Sequence, residues 1–337
     1  MSDQQPARIS QAVLDHKAFP HIYEAILGAA PSASLLRLRL VSRSLRDWVD
    51  SRLAPDVTIA YVSVARGVRV RSRTGFAPHF PTPVLRRSQA AEWPSSASRF
   101  FSRVFAHTTT VDLGEVFPPT GLHPLPSFLT HVQTLRMAVS RDGWSEAPRP
   151  PDLSGPITAP EIILLGPTSW STMPGLRIPH GVRRLVLNSP LHSPMIQVDN
   201  VGRPADLATA VFLFDARHEL DRADPDFALK QQHQALMYSV AGMLAAAPKM
   251  HVTLVNIHAL SPMTLGIAPA EMGGRGVEDV FAERVRVQVI RQLGEVDLAG
   301  LEFMTLEEYA ATRTPEQLAL ELGEREYGTR PALTAAL

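Results

Sequence analysis

Short apolar runs recur along the chain between more polar connections, and each run has the length of a β-strand. Seven of these runs are rich in Val, Ile, Leu and Phe, and they cover residues 108–114, 132–137, 161–165, 183–188, 208–214, 251–257 and 298–304. Repeated strand–connection–strand units favour a parallel sheet with right-handed crossovers. The pattern therefore predicts an α/β chain with a mostly parallel sheet, either open or built from repeats.

Helices are predicted in the two longest intervals between these strands. Apolar residues fall at helical spacing within 226–247 and 277–293. Two capping boxes predict further short helices near the C-terminal end, and their residues are Thr305 with Glu308 and Thr314 with Gln317. Residues 139–160 and 263–276 have the composition of loops, and we expect the second, which ends in a glycine-rich stretch, to be mobile.

The segment 14–54 predicts three short helices ahead of the sheet. Its apolar positions fall at helical spacing, and they are Ile22, Ile26, Leu35, Leu36, Leu38, Val41, Leu45, Trp48, Val49 and Leu53. A unit of about 40 residues is too small to bury a core of its own. The segment must therefore pack against the rest of the chain or against a partner.

This segment resembles an F-box, in a divergent form that is abundant in fungi. The matching order begins at Phe19 and Pro20, continues through 35–43 and ends at Trp48. It departs from the usual pattern because Phe19 replaces a leucine, Ser42 replaces a frequent cysteine, and the first part is one residue short. The resemblance implies that the segment binds a Skp-type adaptor and so joins a cullin-based ubiquitin ligase. The residues that it assigns to the adaptor interface are Phe19, Pro20, Ile22, Ile26, Leu35, Leu36, Leu38, Val41, Leu45 and Trp48.

The first five strand runs start at intervals close to the period of leucine-rich repeats. The runs VQTLRM at 132–137 and RRLVLN at 183–188 also resemble the strand part of such repeats, although the asparagine ladder is missing. Together the two resemblances imply a short F-box-like module over 14–54, followed by an α/β, degenerate leucine-rich-repeat-like domain over 55–337. That domain would present an unknown protein substrate.

Composition excludes some kinds of chemistry and favours a cellular location, but it does not indicate a function. The chain has 337 residues and no cysteine, which excludes disulfides and thiolate catalysis. No apolar run is long enough for a membrane span, and the first residues, MSDQQPARIS, lack the apolar region of a secretory signal. We therefore expect an intracellular protein, in the cytoplasm, the nucleus or both, with no membrane partner.

The charge is zero overall but unevenly distributed. Residues 1–105 carry 15 Lys and Arg against 7 Asp and Glu, while residues 106–337 carry 18 against 26. A hairpin predicted at 57–73 would align Arg69, Arg71 and Arg73 on one face. We interpret this row as the solvated face of an edge strand, because no aromatic residues interleave with it, and we do not expect nucleic-acid binding.

The most enzyme-like stretch follows the predicted strand at 208–214. Its acidic residues and histidine are Asp215, His218, Glu219, Asp221 and Asp224. Such groups at the carboxyl end of a parallel strand suit a hard metal ion or acid–base catalysis. Acidic residues before a helix are also ordinary caps and dipole partners, and the chain has no Walker loop, nucleophile elbow or dinucleotide-binding motif.

The leading hypothesis is an interaction protein without catalytic, cofactor-binding or metal-binding residues. One alternative is a small α/β enzyme, metal-dependent or hydrolase-like, centred on 215–224. Another is an F-box relic whose helices pack only on their own body. Exposure of the apolar face around 35–41 separates the relic from the leading hypothesis, because an exposed apolar face requires a partner.

Overall fold

The computed structural model describes residues 20–63, 67–72, 79–80, 95–113, 128–138, 159–165, 178, 180–190, 206–215, 235–247, 249–260, 262–293 and 298–323. Their strands are β1 Asp56–Ser63, β2 Gly67–Ser72, β3 His79–Phe80, β4 Thr110–Leu113, β5 Thr134–Ala138, β6 Glu161–Leu165, β7 Arg184–Pro190, β8 Thr209–Asp215, β9 His251–Val255 and β10 Leu301–Met304. Their α-helices are α1 Pro20–Gly28, α2 Ser32–Leu38, α3 Arg43–Leu53, α4 Ser95–Phe105, α5 Ala235–Ala246, α6 Pro269–Met272, α7 Val277–Leu293, α8 Leu306–Ala311 and α9 Pro315–Glu321.

All ten strands belong to one sheet, in the order β10-β9-β8-β7-β6-β5-β4-β1-β2-β3. From β5 to β10, each strand lies in parallel beside the strand that precedes it in the sequence, and β4 is parallel to β1. β2 and β3 extend the sheet in antiparallel pairing beyond β1. The predicted α/β fold with a mostly parallel sheet is confirmed.

The turns that lead into the parallel strands repeat one hydrogen-bond pattern. The residue before a strand and the first residue of that strand both donate to the carbonyl of the residue just before the neighbouring strand. This occurs for Thr109 and Thr110 on Pro55 (2.8 and 3.2 Å), Gln133 and Thr134 on Thr109 (2.8 and 3.0 Å), Arg183 and Arg184 on Pro160 (2.7 and 3.0 Å), and Ala208 and Thr209 on Arg183 (2.9 and 3.0 Å). The shared pattern keeps these strands in the same register at their amino ends.

Alternate strand residues pack on two different layers. One face of the sheet forms the larger core with α3, α4, α5 and α7, whose buried residues include Val49, Phe105, Val240 and Val285. The opposite face has a smaller core in which Tyr309, Leu320 and Leu322 cover five strand residues, namely Ile163, Val186, Val211, Leu213 and Val255. The central strands β6–β9 are therefore covered on both faces, which is why they read as nearly continuous apolar runs.

Helices near both ends of the chain are fixed by local signals. Ser42 caps α3 by accepting the Leu45 N–H at 3.1 Å. The two C-terminal capping boxes form as predicted, with the Glu308 N–H bonded to Thr305 Oγ1 at 3.1 Å and the Gln317 N–H bonded to Thr314 Oγ1 at 3.2 Å. None of the helices within the described segments has both the length and the apolar character that a membrane span needs.

The interpretation of 263–276 as a loop is wrong in part, because the segment contains two helical turns. Pro262–Leu265 is a turn of 3-10 helix, and α6 follows it, with the Ala268 N–H donating to Glu271 Oε1 at 3.2 Å. Glu271 also accepts from Arg284 of α7 at 2.7 Å, which ties the segment to that helix. Single helical turns were missed because they are too short to show a helical period. Residues 139–158 of the other predicted loop lie outside the described residues.

Candidate functional site

The residues assigned to an adaptor interface divide by burial. Four of them project aliphatic side chains into solvent, with exposed fractions of 43% for Ile22, 59% for Ile26, 37% for Leu36 and 69% for Val41. Leu40, which the sequence did not single out, is 78% exposed. We call these five side chains the aliphatic patch. Large hydrophobic side chains with this exposure lose hydrophobic stabilisation unless another surface covers them.

Other members of the predicted set face the chain itself. Leu35 is only 3% exposed and belongs to the larger core, and Leu38 and Trp48 are half-buried against that core. Leu45 is half-buried. Pro20 is the first residue of α1, and Phe19 lies outside the described residues. The inward-facing residues anchor the helices, and the outward-facing ones form the patch.

Arg39 connects the end of α2 to α3 and α4 through an ion pair and an aromatic contact. Arg39, just after α2, donates from Nη2 to Asp50 Oδ2 of α3 at 3.2 Å. The Arg39 guanidinium also lies 4.6 Å from the centre of the Phe100 ring on α4. Asp50 is 1% exposed, so this pair is largely shielded from water and helps to hold the three helices together.

Charged side chains follow the register of the sheet on its smaller-core face. Asp112 of β4 is paired with Arg136 of β5 in adjacent register positions, and both are nearly completely buried. Thr134 donates to Glu161 Oε2 of β6 at 2.8 Å, and Glu161 in turn pairs with Arg184 of β7. Polar or charged side chains therefore pair between each two neighbouring strands from β4 to β7.

The end of α9 joins this charged row through Glu321. The Arg184 guanidinium lies 2.7 Å from Glu321 Oε1, the Tyr309 hydroxyl donates to Glu321 Oε2 at 2.7 Å, and Arg184 Nη2 donates to the Tyr309 oxygen at 2.7 Å. The guanidinium of Arg313 stacks 4.9 Å from the Tyr309 ring centre. We call Glu161, Arg184, Tyr309, Arg313 and Glu321 the Glu321 cluster.

Two hydrogen bonds from strand side chains to backbone carbonyls of α9 lie next to the Glu321 cluster. Asn188 of β7 donates to the Glu321 carbonyl at 2.8 Å, and Arg136 donates to the Leu320 carbonyl at 3.3 Å. Both carbonyls belong to the last turn of α9, where helical carbonyls have no partner within the helix. Side chains from β5 and β7 thus complete the hydrogen bonding of the helix end.

The pKa shifts in the Glu321 cluster fit a structural contact rather than a catalytic site. Burial raises the pKa of Tyr309, so its hydroxyl keeps its proton. Burial alone lowers the pKa of Arg184, but the Glu321 carboxylate, Tyr309 and the Glu161 carboxylate shift this pKa upward, and the net change is upward. The arrangement therefore holds a charged arginine and a neutral phenol against a carboxylate, and it fastens α8 and α9 to the sheet.

Most of the acidic segment 215–224, the candidate for metal binding or acid–base catalysis, lies outside the residues that the structure describes. Asp215 ends β8, and residues 216–224 lie outside the described residues. At this end of the sheet, Asn256 adopts a left-handed conformation with φ of 64° and donates to the Phe214 carbonyl at 3.0 Å. In the segments that the structure covers, no group of three or more His, Asp or Glu side chains is placed to hold a metal ion.

Sequence reasoning missed the charged row and the Glu321 cluster. A signal for part of it was present, because aligning 108–114 with 132–137 at their threonines places Asp112 beside Arg136. Nothing local indicates that Glu321 meets Arg184, since 136 residues separate them. In comparisons with known proteins, no family model, no curated protein and no solved structure matched this chain.

Proposed function

We propose that this chain is a substrate-recognition subunit of a cullin-based ubiquitin ligase, and that its N-terminal helices dock on a Skp-type adaptor. The observation that carries the proposal is the aliphatic patch. Its five members lie within residues 22–41, on α1, α2 and the turn after α2, while Leu35 anchors α2 and Val49 anchors the following helix α3 in the core. Exposed apolar clusters on otherwise well-packed elements mark protein interaction sites.

Burial of the aliphatic patch alone would not give micromolar affinity for an adaptor. Fully burying an aliphatic side chain contributes about 1.5–3 kcal/mol, so each half-exposed member contributes roughly 1 kcal/mol on docking. The five together contribute about 5 kcal/mol, whereas micromolar affinity requires about 8 kcal/mol after the entropy of association is met. Exposed Arg37 and Arg43, next to the patch in sequence, are placed to supply polar contacts at its rim.

The α/β body supports the second half of the proposal, in which a protein substrate is presented. Its sequential parallel strands and repeated turns are what a degenerate leucine-rich-repeat-like domain would have. The smaller-core face of its central strands is already covered by α8 and α9. We therefore do not assign substrate contact to that face.

Affinity purification of the full chain followed by mass spectrometry tests the proposal, with a Skp-type adaptor and a cullin as the expected partners. Leu36→Arg should abolish adaptor capture, because it places a charge in the patch. Ile290→Arg is the matched control, since Ile290 is 43% exposed on α7, outside the N-terminal helices. Absence of the adaptor from the wild-type sample, or equal capture by both variants, would contradict the proposal and favour a relic.

A further inference from the structure

Ser42 lies in an exposed turn between α2 and α3, directly beside the aliphatic patch. The turn 39–42 contains Leu40 and Val41, the two most exposed members of that patch, and Ser42 is exposed as well. Ser42 is also the one serine in the sequence with arginines both three and five residues before it, namely Arg39 and Arg37. Serine kinases with acidic substrate grooves select arginines at a few positions before the serine.

We propose that Ser42 is a phosphorylation site for an arginine-directed serine kinase, and that its phosphate closes the aliphatic patch to the adaptor. The second half of this inference rests on the proposed function, and the first half does not. Ser44 is also exposed but has Val41 rather than an arginine three residues before it, so it provides an internal comparison.

The modification uses ATP as the phosphoryl donor. The Ser42 Oγ attacks the γ-phosphorus, a new P–O bond forms, and the bond between the γ-phosphorus and its bridging oxygen breaks. ADP leaves with the electron pair of that bond, and the hydroxyl proton passes to the catalytic base of the kinase. No redox partner is required.

A phosphate on Ser42 is compatible with the formation of helix α3. Ser42 is the Ncap residue, and its Oγ lies 3.1 Å from the Leu45 N–H and 3.2 Å from Ser44 Oγ. A phosphate carries about −2 charge and is favoured at the amino end of a helix by the helix dipole. Arg43, exposed in the first turn, is placed to pair with it.

The same phosphate is incompatible with burial of the neighbouring side chains. Docking through Leu40 and Val41 brings a partner surface over the adjoining Ser42. A dianion there must either lose its water or hold the partner away, and both outcomes weaken binding. Phosphorylation therefore acts as an off-switch for the patch.

Kinase access requires only local opening. Helix ends and short helices open more readily than a packed core, and Ser42 lies between the seven-residue α2 and the first turn of α3. Arg39 is held by Asp50 and Phe100, whereas Arg37 is exposed, so Arg37 is the determinant available before opening. Arg37→Ala should accordingly slow the modification.

The test begins with the full chain, ATP and the catalytic subunit of cyclic-AMP-dependent protein kinase, with sites mapped by mass spectrometry. We expect phosphate on Ser42 in the wild type and in Ser44→Ala, and none at position 42 in Ser42→Asn. Thr74 has the same arginine spacing and is scored separately. Absence of phosphate from Ser42, or a rate unaffected by Arg37→Ala, overturns the assignment of the site.

Adaptor binding is then compared between Ser42→Asn and Ser42→Asp. Both residues cap helices well, so the pair differs mainly by one negative charge. We expect Ser42→Asn to bind like the wild type, and Ser42→Asp and the phosphorylated chain to bind roughly tenfold or more weakly. Equal affinity of all four samples overturns the switch. Failure of the unmodified wild type to bind overturns the proposed function and the switch together, while the phosphorylation map still decides the site.

Discussion

Removing the Glu321 carboxylate should loosen the C-terminal helices from the sheet. Glu321 is almost completely buried and binds both Arg184 and the Tyr309 hydroxyl, so one substitution affects two partners. Glu321→Ala removes both contacts, whereas Glu321→Gln keeps an acceptor for Tyr309 and removes only the charge. Glu316→Gln, in the exposed first turn of the same helix, is the matched control.

The expected size of the effect follows from what each variant leaves behind. Breaking a buried ion pair by deleting one partner destabilises by about 3–5 kcal/mol. Arg184 is 19% exposed and keeps Glu161, so we expect the lower end, about 3 kcal/mol, for Glu321→Ala. Glu321→Gln should cost about 1–2 kcal/mol, because an unsatisfied charge-assisted contact remains on Arg184. Glu316→Gln should stay within about 0.5 kcal/mol of the wild type.

Two measurements separate local loosening from global destabilisation. Urea unfolding followed by circular dichroism gives the free energy of unfolding, provided that different probes give coincident transitions. Amide hydrogen exchange reports on the strand residues under the helices, among them Val186, Val211 and Val255. Exchange at these amides should rise in both Glu321 variants more than at β1, which the smaller core does not include.

Unchanged stability and unchanged exchange in Glu321→Ala would refute this reasoning. Such a result would mean that apolar packing of Tyr309, Leu320 and Leu322 alone holds α8 and α9 in place. A large effect of Glu316→Gln would also count against it, because that substitution touches only the exposed side of α9.

Three further substitutions test separate parts of the fold. Burial raises the folded-state pKa of Tyr309 above its unfolded value of about 10. The contribution of Tyr309 to the free energy of unfolding is therefore complete below pH 10 and is lost as the pH rises toward the folded-state pKa. The wild type should accordingly lose stability in alkaline titration more steeply than Tyr309→Phe. Gly300→Ala should destabilise by about 1–3 kcal/mol in urea unfolding, because its Cβ would lie 2.3 Å from the Met250 carbonyl oxygen, whereas Gly28→Ala meets no atom within 4 Å and should be close to neutral. Thr305→Ala removes the cap of α8 and should cost about 1 kcal/mol by the same assay; no change would show that the cap is not needed.

The parallel sheet could be predicted from the sequence because its central strands β6–β9 are buried on both faces. Runs such as EIILL at 161–165 have apolar residues on both sides, and their bounds match β6. The capping boxes at Thr305 and Thr314 were equally clear, because helix starts depend on neighbouring residues. The single turns at 262–265 and 269–272 leave no such trace.

The candidate site could be predicted only in part. Leu35 and Leu36 are adjacent and chemically identical, yet one is buried in the core and the other is exposed. Helical periodicity does not decide which face of a short helix meets the body, since that depends on the packing of the whole sheet. The pairing of Arg184 with Glu321 likewise depends on the C-terminal helices crossing back over the central strands.

Hydrogen exchange of the full chain with and without a purified Skp-type adaptor tests the central claim most directly. Docking through the aliphatic patch should slow exchange at amides between residues 20 and 42, because complex formation covers α1, α2 and the following turn. Amides of the sheet should be unaffected, and Leu36→Arg should remove the protection. No protection in 20–42, or protection confined to the sheet, would contradict the assignment of the N-terminal helices as the docking site.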